Sequence, residues 1–162
     1  MEKQQIVIPI KRHAALVSYS KEHHTGLLLS WKIRAGKVKM VDESRIAAYI
    51  QHSFENELKM HFRDEEDYLC PFLPEDDALI RQLRDEHSEI RMLVEKIADQ
   101  PDNAMLTSAF ADILDAHIRF EERRLFKYLQ ETLSQEQLMK LEAMDRQASE
   151  GCDVYWKDQF WL

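Results

Sequence analysis

The feature that most constrains this sequence is a histidine followed four residues later by a glutamate, which occurs twice on a predicted core face. His61 and Glu65 form the first pair, and His117 and Glu121 form the second. On a helix this spacing places both side chains on one face, one turn apart. A buried ionised carboxylate is costly unless it is paired or bound to a metal, so a shared metal site is the simplest explanation for both pairs.

Both pairs interrupt apolar stripes that have helical periodicity, which predicts that each pair lies on the core face of a helix. The acidic run at residues 64–67, taken as a whole, is interpreted as a solvated helix surface. The apolar residues of the two stripes are Ala47, Ile50, Phe54, Leu58, Tyr68 and Phe72 around the first pair, and Leu106, Phe110, Ile113 and Phe120 around the second.

Breaks in the chain predict where the helices lie. Three glycines and four prolines are few for 162 residues, which favours long helices over a turn-rich β fold. Four main helices are predicted over about residues 10–35, 43–70, 77–99 and 102–132. Gly36 is expected just beyond the end of the first helix. The candidate N-caps of the other three are Asp42, then Asp76 or Asp77, then Asp102 or Asn103.

Four helices joined by short connections predict an all-α fold, an antiparallel up-down four-helix bundle. We expect one domain over residues 1–162, with the bundle at about 10–132 and a C-terminal helix and tail at 134–162. Ser134 and Gln137 fit a capping box for that additional helix, which should end before Gly151. The aromatic tail should cover the bundle or form a homodimer contact. Its aromatic residues are Tyr155, Trp156, Phe160 and Trp161.

Composition excludes several kinds of partner. The formal net charge is −8 and the basic residues are scattered, which argues against nucleic acid as a partner. No apolar run is long enough to span a membrane, and the N-terminal apolar stretch is too short for a secretory signal. Cys70 and Cys152 are isolated in sequence, which argues against a zinc ribbon or a disulfide framework. We therefore predict a cytoplasmic protein.

Each predicted bundle helix carries a histidine on or beside its core face. These are His23 or His24, then His61, His87 and His117, and periodicity alone does not choose between the first two. In an up-down bundle, residues at mid-helix on facing stripes meet near the axis. Four imidazoles and two carboxylates suit iron or manganese better than calcium or magnesium, and they exceed what one zinc ion uses. Two carboxylates can each bridge two metals, so a dinuclear non-haem iron centre is predicted, with manganese or zinc as alternatives.

Several motifs together resemble the hemerythrin-like, HHE cation-binding domain family over about residues 12–132. They are Lys-Glu-His-His-Thr-Gly-Leu-Leu around His23, Asp-Glu-His-Ser-Glu-Ile around His87, and the two His-x-x-x-Glu pairs. The resemblance implies an up-down four-helix bundle that holds two iron ions. It favours His23 over His24, because Glu-His recurs in the third helix. The implied ligands are His23, His61, His87 and His117 as terminal ligands, with Glu65 and Glu121 as bridges.

One position departs from the oxygen-carrying hemerythrins. Those proteins, which this chain resembles, have a fifth histidine one turn after the histidine of the third helix. This sequence has Arg91 at that position. Glu57, one turn before His61, or His24 is the candidate replacement ligand; otherwise one metal has an extra open position. Either outcome argues against reversible oxygen carriage, and an open position would favour reactions with oxygen, peroxide or nitric oxide.

The sequence leaves three functions open. The first is a binding module that binds or senses oxygen or nitric oxide, or handles iron. The second is a di-iron enzyme, such as an oxidase, peroxidase or repair factor in oxidative or nitrosative stress. The third is a metal-free helical interaction domain. A small diatomic molecule or peroxide is the expected ligand of the first two, and catalytic turnover distinguishes them.

Overall fold

The computed structural model of the protein describes residues 11–144 and 156–162, and these residues include no β-strand. They form five helices, which confirms the predicted all-α bundle with an additional C-terminal helix. Helix α1 is Ala14–Val38, α2 spans residues 43–72, α3 is Ala78–Asp99, α4 spans residues 104–132 and α5 is Gln135–Glu142.

Helices α2 and α4 are continuous but contain wider, π-helical turns. In α2 these turns are Phe54–Leu58 and Glu65–Leu69, and a 3₁₀ turn at Cys70–Phe72 ends the helix. In α4 the π turn is Glu121–Leu125. Such turns change the register of a helix and are frequent at functional sites. Nothing in the apolar periodicity predicted them.

The caps of three helices agree with the sequence. Asp77 accepts a hydrogen bond from Leu79 N, and Asn103 accepts one from Met105 N, which settles the two open N-cap assignments. Ser134 and Gln137 form the predicted capping box. Asp42 precedes α2 but makes no side-chain capping bond.

The ends of α1 differ from the prediction. The helix begins at Ala14, after the N-cap His13, rather than near Ile10, which lies outside the described residues. It continues through the buried Gly36 to Val38, and the left-handed residue that follows is Met40, with φ 55°. A Cβ atom at Gly36 would lie 2.8 Å from the ring of Phe160. This glycine therefore makes room for the tail instead of ending the helix.

The C-terminal tail packs on its own chain. Phe160 and Trp161 are buried, with ring centroids 5.6 and 4.9 Å from that of Tyr49. Lys32 of α1 is also buried there, with its ammonium 4.2 Å from the Trp161 ring centroid. A homodimer contact through this segment stays a prediction. Tyr155, Cys152 and the expected end of α5 before Gly151 lie outside the described residues.

Among the described residues, the hydrophobic core consists of two clusters on either side of the bundle's middle. In α1, Leu16 and Tyr19 belong to one cluster, while Leu29 and Ile33 belong to the other. The same change occurs part-way along α2, α3 and α4. The predicted metal residues lie where the clusters meet. In the described part of the chain, no helix has both the length and the apolar character needed to cross a membrane.

Candidate metal centre

The six predicted metal residues come together inside the bundle, all at most 5% exposed. Each of the first four helices contributes its histidine, and α2 and α4 each add a glutamate. The two glutamates, Glu65 and Glu121, are called the inner glutamates below. Potential donor atoms form two sets, in each of which every atom lies within 4.8 Å of the others. The sets are His23 and His61 with both inner glutamates, and His87 and His117 with both inner glutamates.

In the first set, the Nε2 atoms of both histidines point at the inner glutamates. Nε2 of His23 lies 2.6 Å from Glu121 Oε2 and 3.3 Å from Glu65 Oε1. Nε2 of His61 lies 3.0 Å from Glu65 Oε1. The His61–Glu65 spacing of one helical turn therefore produces the direct approach that the sequence predicted.

The second set repeats this arrangement. Nε2 of His87 lies 3.2 Å from Glu65 Oε2 and 3.7 Å from Glu121 Oε1, and Nε2 of His117 lies 3.0 Å from Glu121 Oε1. Each inner glutamate thus approaches histidines of both sets. That is the geometry needed for a carboxylate shared by two cations.

Four further glutamates, called the outer glutamates below, hold the opposite edge of each imidazole. Nδ1 of each histidine contacts a carboxylate of a neighbouring helix, and the four contacts form a closed ring around the bundle. Helix α1 reaches α2, α2 reaches α3, α3 reaches α4, and α4 reaches α1. The pairs are Glu22–His61 at 2.5 Å, Glu66–His87 at 2.7 Å, Glu86–His117 at 3.2 Å and Glu122–His23 at 2.7 Å.

The outer glutamates fix the tautomer of the histidines. An ionised carboxylate can only accept a hydrogen bond, so each Nδ1 carries the proton and donates it. In a neutral imidazole this leaves the lone pair of Nε2 directed at the inner glutamates. Histidine ligands of metals are commonly oriented in this way by a carboxylate on the other ring nitrogen.

Two arginines support the ring of outer glutamates. The guanidinium of Arg12 donates to Glu122 Oε2 at 2.7 Å, and that of Arg91 lies 3.0 Å from Glu66 Oε1. Arg91 therefore offers no atom that could bind a metal at the position where oxygen-carrying hemerythrins have a histidine. It pairs instead with the carboxylate that orients His87.

When no metal is bound, electrostatics favours protonated histidines and ionised glutamates in the centre. Burial lowers the pKa of His87, but the carboxylates of Glu121, Glu65 and Glu66 outweigh it and raise the pKa to about 10. The same balance raises the pKa of His117 to about 9. Burial and Glu121 raise the pKa of Glu65, but His61 and His23 outweigh them and hold it well below its usual range. A cation would therefore displace protons from the histidines.

The donor set fits a metal. Within residues 11–144 and 156–162, several buried atoms that face the centre lie close to one another but form no hydrogen bond of acceptable geometry. Such atoms are costly in an apolar interior, and a cation bound between them would remove that cost. They are Nε2 of His87 and His117, Oε2 of Glu65, and both carboxylate oxygens of Glu121.

The candidate replacement ligands lie outside both sets. His24 is exposed on α1. Glu57 is buried within the first π turn of α2, but it is not part of either donor set. It lines a cavity of about 460 Å³ between α1 and α2, which also borders on Glu22, Gly26 and His61.

Sequence reasoning missed the outer glutamates. The acidic run at residues 64–67 is not a solvated surface as a whole, because Asp64 is buried and Glu66 contacts His87. A signal was present, since every outer glutamate is adjacent in sequence to a predicted ligand: Glu-His in α1 and α3, and Glu-Glu in α2 and α4. Each π turn that begins at an inner glutamate also contains the outer one.

Comparison with known proteins agrees with this geometry. The family described as the hemerythrin HHE cation-binding domain matches residues 20–129, a span that includes all six predicted metal residues. Comparisons of the chain with curated proteins and with solved structures found no match.

Proposed function

This chain belongs to the hemerythrin HHE cation-binding domain family, and we propose that it is a non-haem di-iron protein that binds or senses oxygen or nitric oxide, or handles iron. One observation carries the proposal: both inner glutamates belong to both histidine pairs. A mononuclear site would not need two carboxylates that each approach histidines on opposite sides. Shared carboxylates are how bundle proteins hold two metals.

In this proposal His23 and His61 would hold one iron and His87 and His117 the other, and both irons would share Glu65 and Glu121. Two nitrogens and two shared oxygens per metal favour iron or manganese over calcium and magnesium, with zinc as a further alternative. When bound, the iron pair would supply a redox-active centre with positions for a small exogenous ligand.

The chain's own residues prepare that centre. The outer glutamates keep the proton on Nδ1 of each histidine, so that Nε2 can bind a metal. Phe62 stacks on His87 with ring centroids 4.0 Å apart, and Phe126 stacks on His23 at 5.2 Å. These rings fix the imidazole planes and exclude water from their faces.

A di-iron enzyme of oxidative or nitrosative stress is the second candidate. Arg91 favours this candidate, because it pairs with Glu66 where a further histidine ligand would otherwise stand. Each donor set is therefore left with two histidines. A metal with few protein ligands has room for an oxidant such as peroxide. A binding protein would change its spectrum reversibly and release no product, whereas an enzyme would consume peroxide, oxygen or nitric oxide over many cycles.

The test is metal content per chain, together with an absorption spectrum, on protein purified without added metal and again after loading with ferrous iron. Two irons per chain with oxo-bridge charge-transfer bands are expected. A double variant, Glu65→Ala with Glu121→Ala, should lose the bands. Exposed carboxylates elsewhere provide the control, so Glu131→Gln should retain them. Wild-type protein that takes up no metal would overturn the proposal.

A further inference from the structure

The two halves of the centre carry the same sequence motifs, and two of the positions at which they differ flank the histidines. Helices α1 and α2 carry Glu-His and His-x-x-x-Glu-Glu, and α3 and α4 carry the same motifs. Three residues after His23 is Gly26, whereas three residues after His87 is Ile90. Four residues before His61 is Glu57, whereas four residues before His117 is Ile113.

The two positions have different surroundings in the two halves. In the second half, Ile90 is fully buried in the core and Ile113 packs against the same cluster. In the first half, Gly26 and Glu57 line the cavity of about 460 Å³ that borders on His61. The space beside Gly26 is filled by Ile118, whose Cδ1 would lie 2.6 Å from a Cβ atom there. The difference that changes the cavity wall is therefore Glu57, a carboxyl group in place of an apolar side chain.

The wall of this cavity combines apolar side chains with several polar groups, and Glu57 is its buried carboxylate. Its lysine and carboxylates are Lys21, Glu22 and Glu57, and Ser18 and Thr25 add hydroxyl groups. Glu22 is paired with His61, which also lines the cavity. Glu57 is only 7% exposed, whereas Lys21 is exposed to solvent. Water therefore screens the positive charge more effectively than the buried carboxylate.

We propose that this cavity admits small neutral molecules with O–H or N–H donors, of the hydrogen peroxide class, and that Glu57 selects them over small anions. The proposal rests on the proposed function, because the cavity borders on His61, which would hold one of the metals. A carboxylate accepts hydrogen bonds but repels an anion. An apolar diatomic molecule such as nitric oxide neither donates to Glu57 nor is repelled by it.

The test compares three variants of the iron-loaded protein. Glu57→Gln removes the charge and Glu57→Ile installs the residue found at the corresponding position of the other half, 113. Glu55→Gln is the matched control, because Glu55 lies in the same turn, is exposed and pairs with Lys59. Azide titration followed by absorption measures anion affinity. Nitric oxide titration reports the neutral apolar ligand, and the saturation of the initial absorbance change measures peroxide affinity.

Azide should bind about tenfold more tightly to Glu57→Gln than to the wild type, since a nearby buried negative charge is removed. Glu57→Ile should weaken saturable peroxide binding about tenfold, which is the usual effect of losing a hydrogen bond to a charged group. Affinity for nitric oxide should change less than twofold in each variant. Glu55→Gln should match the wild type for all three ligands.

Two results would overturn this proposal while leaving the proposed function intact. One is an azide affinity in Glu57→Gln that equals that of the Glu55→Gln control. The other is a loss of iron from both Glu57 variants, measured by metal analysis, which would make Glu57 a metal ligand instead. Wild-type protein that takes up no iron would overturn the proposed function and this proposal together.

Discussion

The outer glutamates should control the two metals separately. Glu22 and Glu122 orient His61 and His23, which belong to the first donor set. The double variant Glu22→Gln with Glu122→Gln should therefore weaken the first metal and leave the second in place. Glutamine keeps an oxygen that can accept from Nδ1, so the main change is the loss of the carboxylate charge.

The expected magnitude follows from the number of bonds that are altered. Loss of a residue that orients a metal-binding histidine typically lowers metal affinity about 10- to 100-fold. Because glutamine retains the bond in its neutral form, we expect the lower end, about tenfold for each substitution. Two substitutions acting on different histidines of one metal should give about 100-fold, or about 2.7 kcal/mol.

Equilibrium competition with a chelator measures this effect. The free metal concentration is buffered between the dissociation constants of the wild-type site and of the weakened site. Bound metal per chain is determined after the chelator is removed. The wild type should retain two metals, and the Glu22→Gln, Glu122→Gln variant should retain one. The complementary variant, Glu66→Gln with Glu86→Gln, acts on the second donor set and should also retain one.

A matched control removes the same number of charges from two bundle helices, α2 and α4, without touching the centre. Glu55→Gln with Glu131→Gln does so, because both carboxylates are exposed and paired only with lysines one turn away among the described contacts. That variant should retain two metals. The reasoning fails if it loses metal as readily as the outer-glutamate variants, or if those variants lose both metals in parallel at every buffered concentration.

Three further effects should be measurable. Glu121→Ala should lose at least one metal and cost about 3 kcal/mol of stability without metal, because buried partners lose their carboxylate; unchanged metal content would refute bridging. In the metal-free protein, pKa values of about 10 for His87 and 9 for His117, against 6.5 unfolded, mean that their stabilisation is complete below about pH 6.5 and declines towards pH 10. The melting temperature without metal should fall over that range while metal affinity rises, and a flat metal affinity would contradict this. Gly36→Ala should lower the unfolding free energy by about 1 kcal/mol, because its Cβ would lie 2.8 Å from Phe160 and overpacking outweighs the gain in helix propensity; a more stable variant would contradict it.

Local chemistry made the helices predictable from the sequence. Asp77, Asn103 and Ser134 cap helices through bonds to backbone groups within three residues, so their effect can be deduced without knowing the fold. Gly36 shows where such reasoning fails. Its neighbour Phe160 is distant in sequence, and only the folded chain shows that the glycine makes room for an aromatic ring.

The same distinction applies to the candidate site. His61 and Glu65 lie on one helix, so their spacing alone predicted that they would meet. Glu66 acts on His87 of the next helix, and its position in an acidic run concealed that role. A π turn begins at Glu65, and an apolar stripe with ordinary helical periodicity could not reveal it. The sequence did not reveal the contacts between helices or the local changes of helical register.

The ring of outer glutamates also explains why the centre needs the whole bundle. The hairpin of α1 and α2 supplies His23, His61 and Glu65, but its donor set is incomplete without Glu121. Nδ1 of His23 also depends on Glu122, which comes from α4. In the same way, the hairpin of α3 and α4 needs both the inner and the outer glutamate of α2. Neither hairpin can therefore complete a set alone, so a bound metal stabilises the packing of one hairpin against the other, and its binding free energy adds to that of folding.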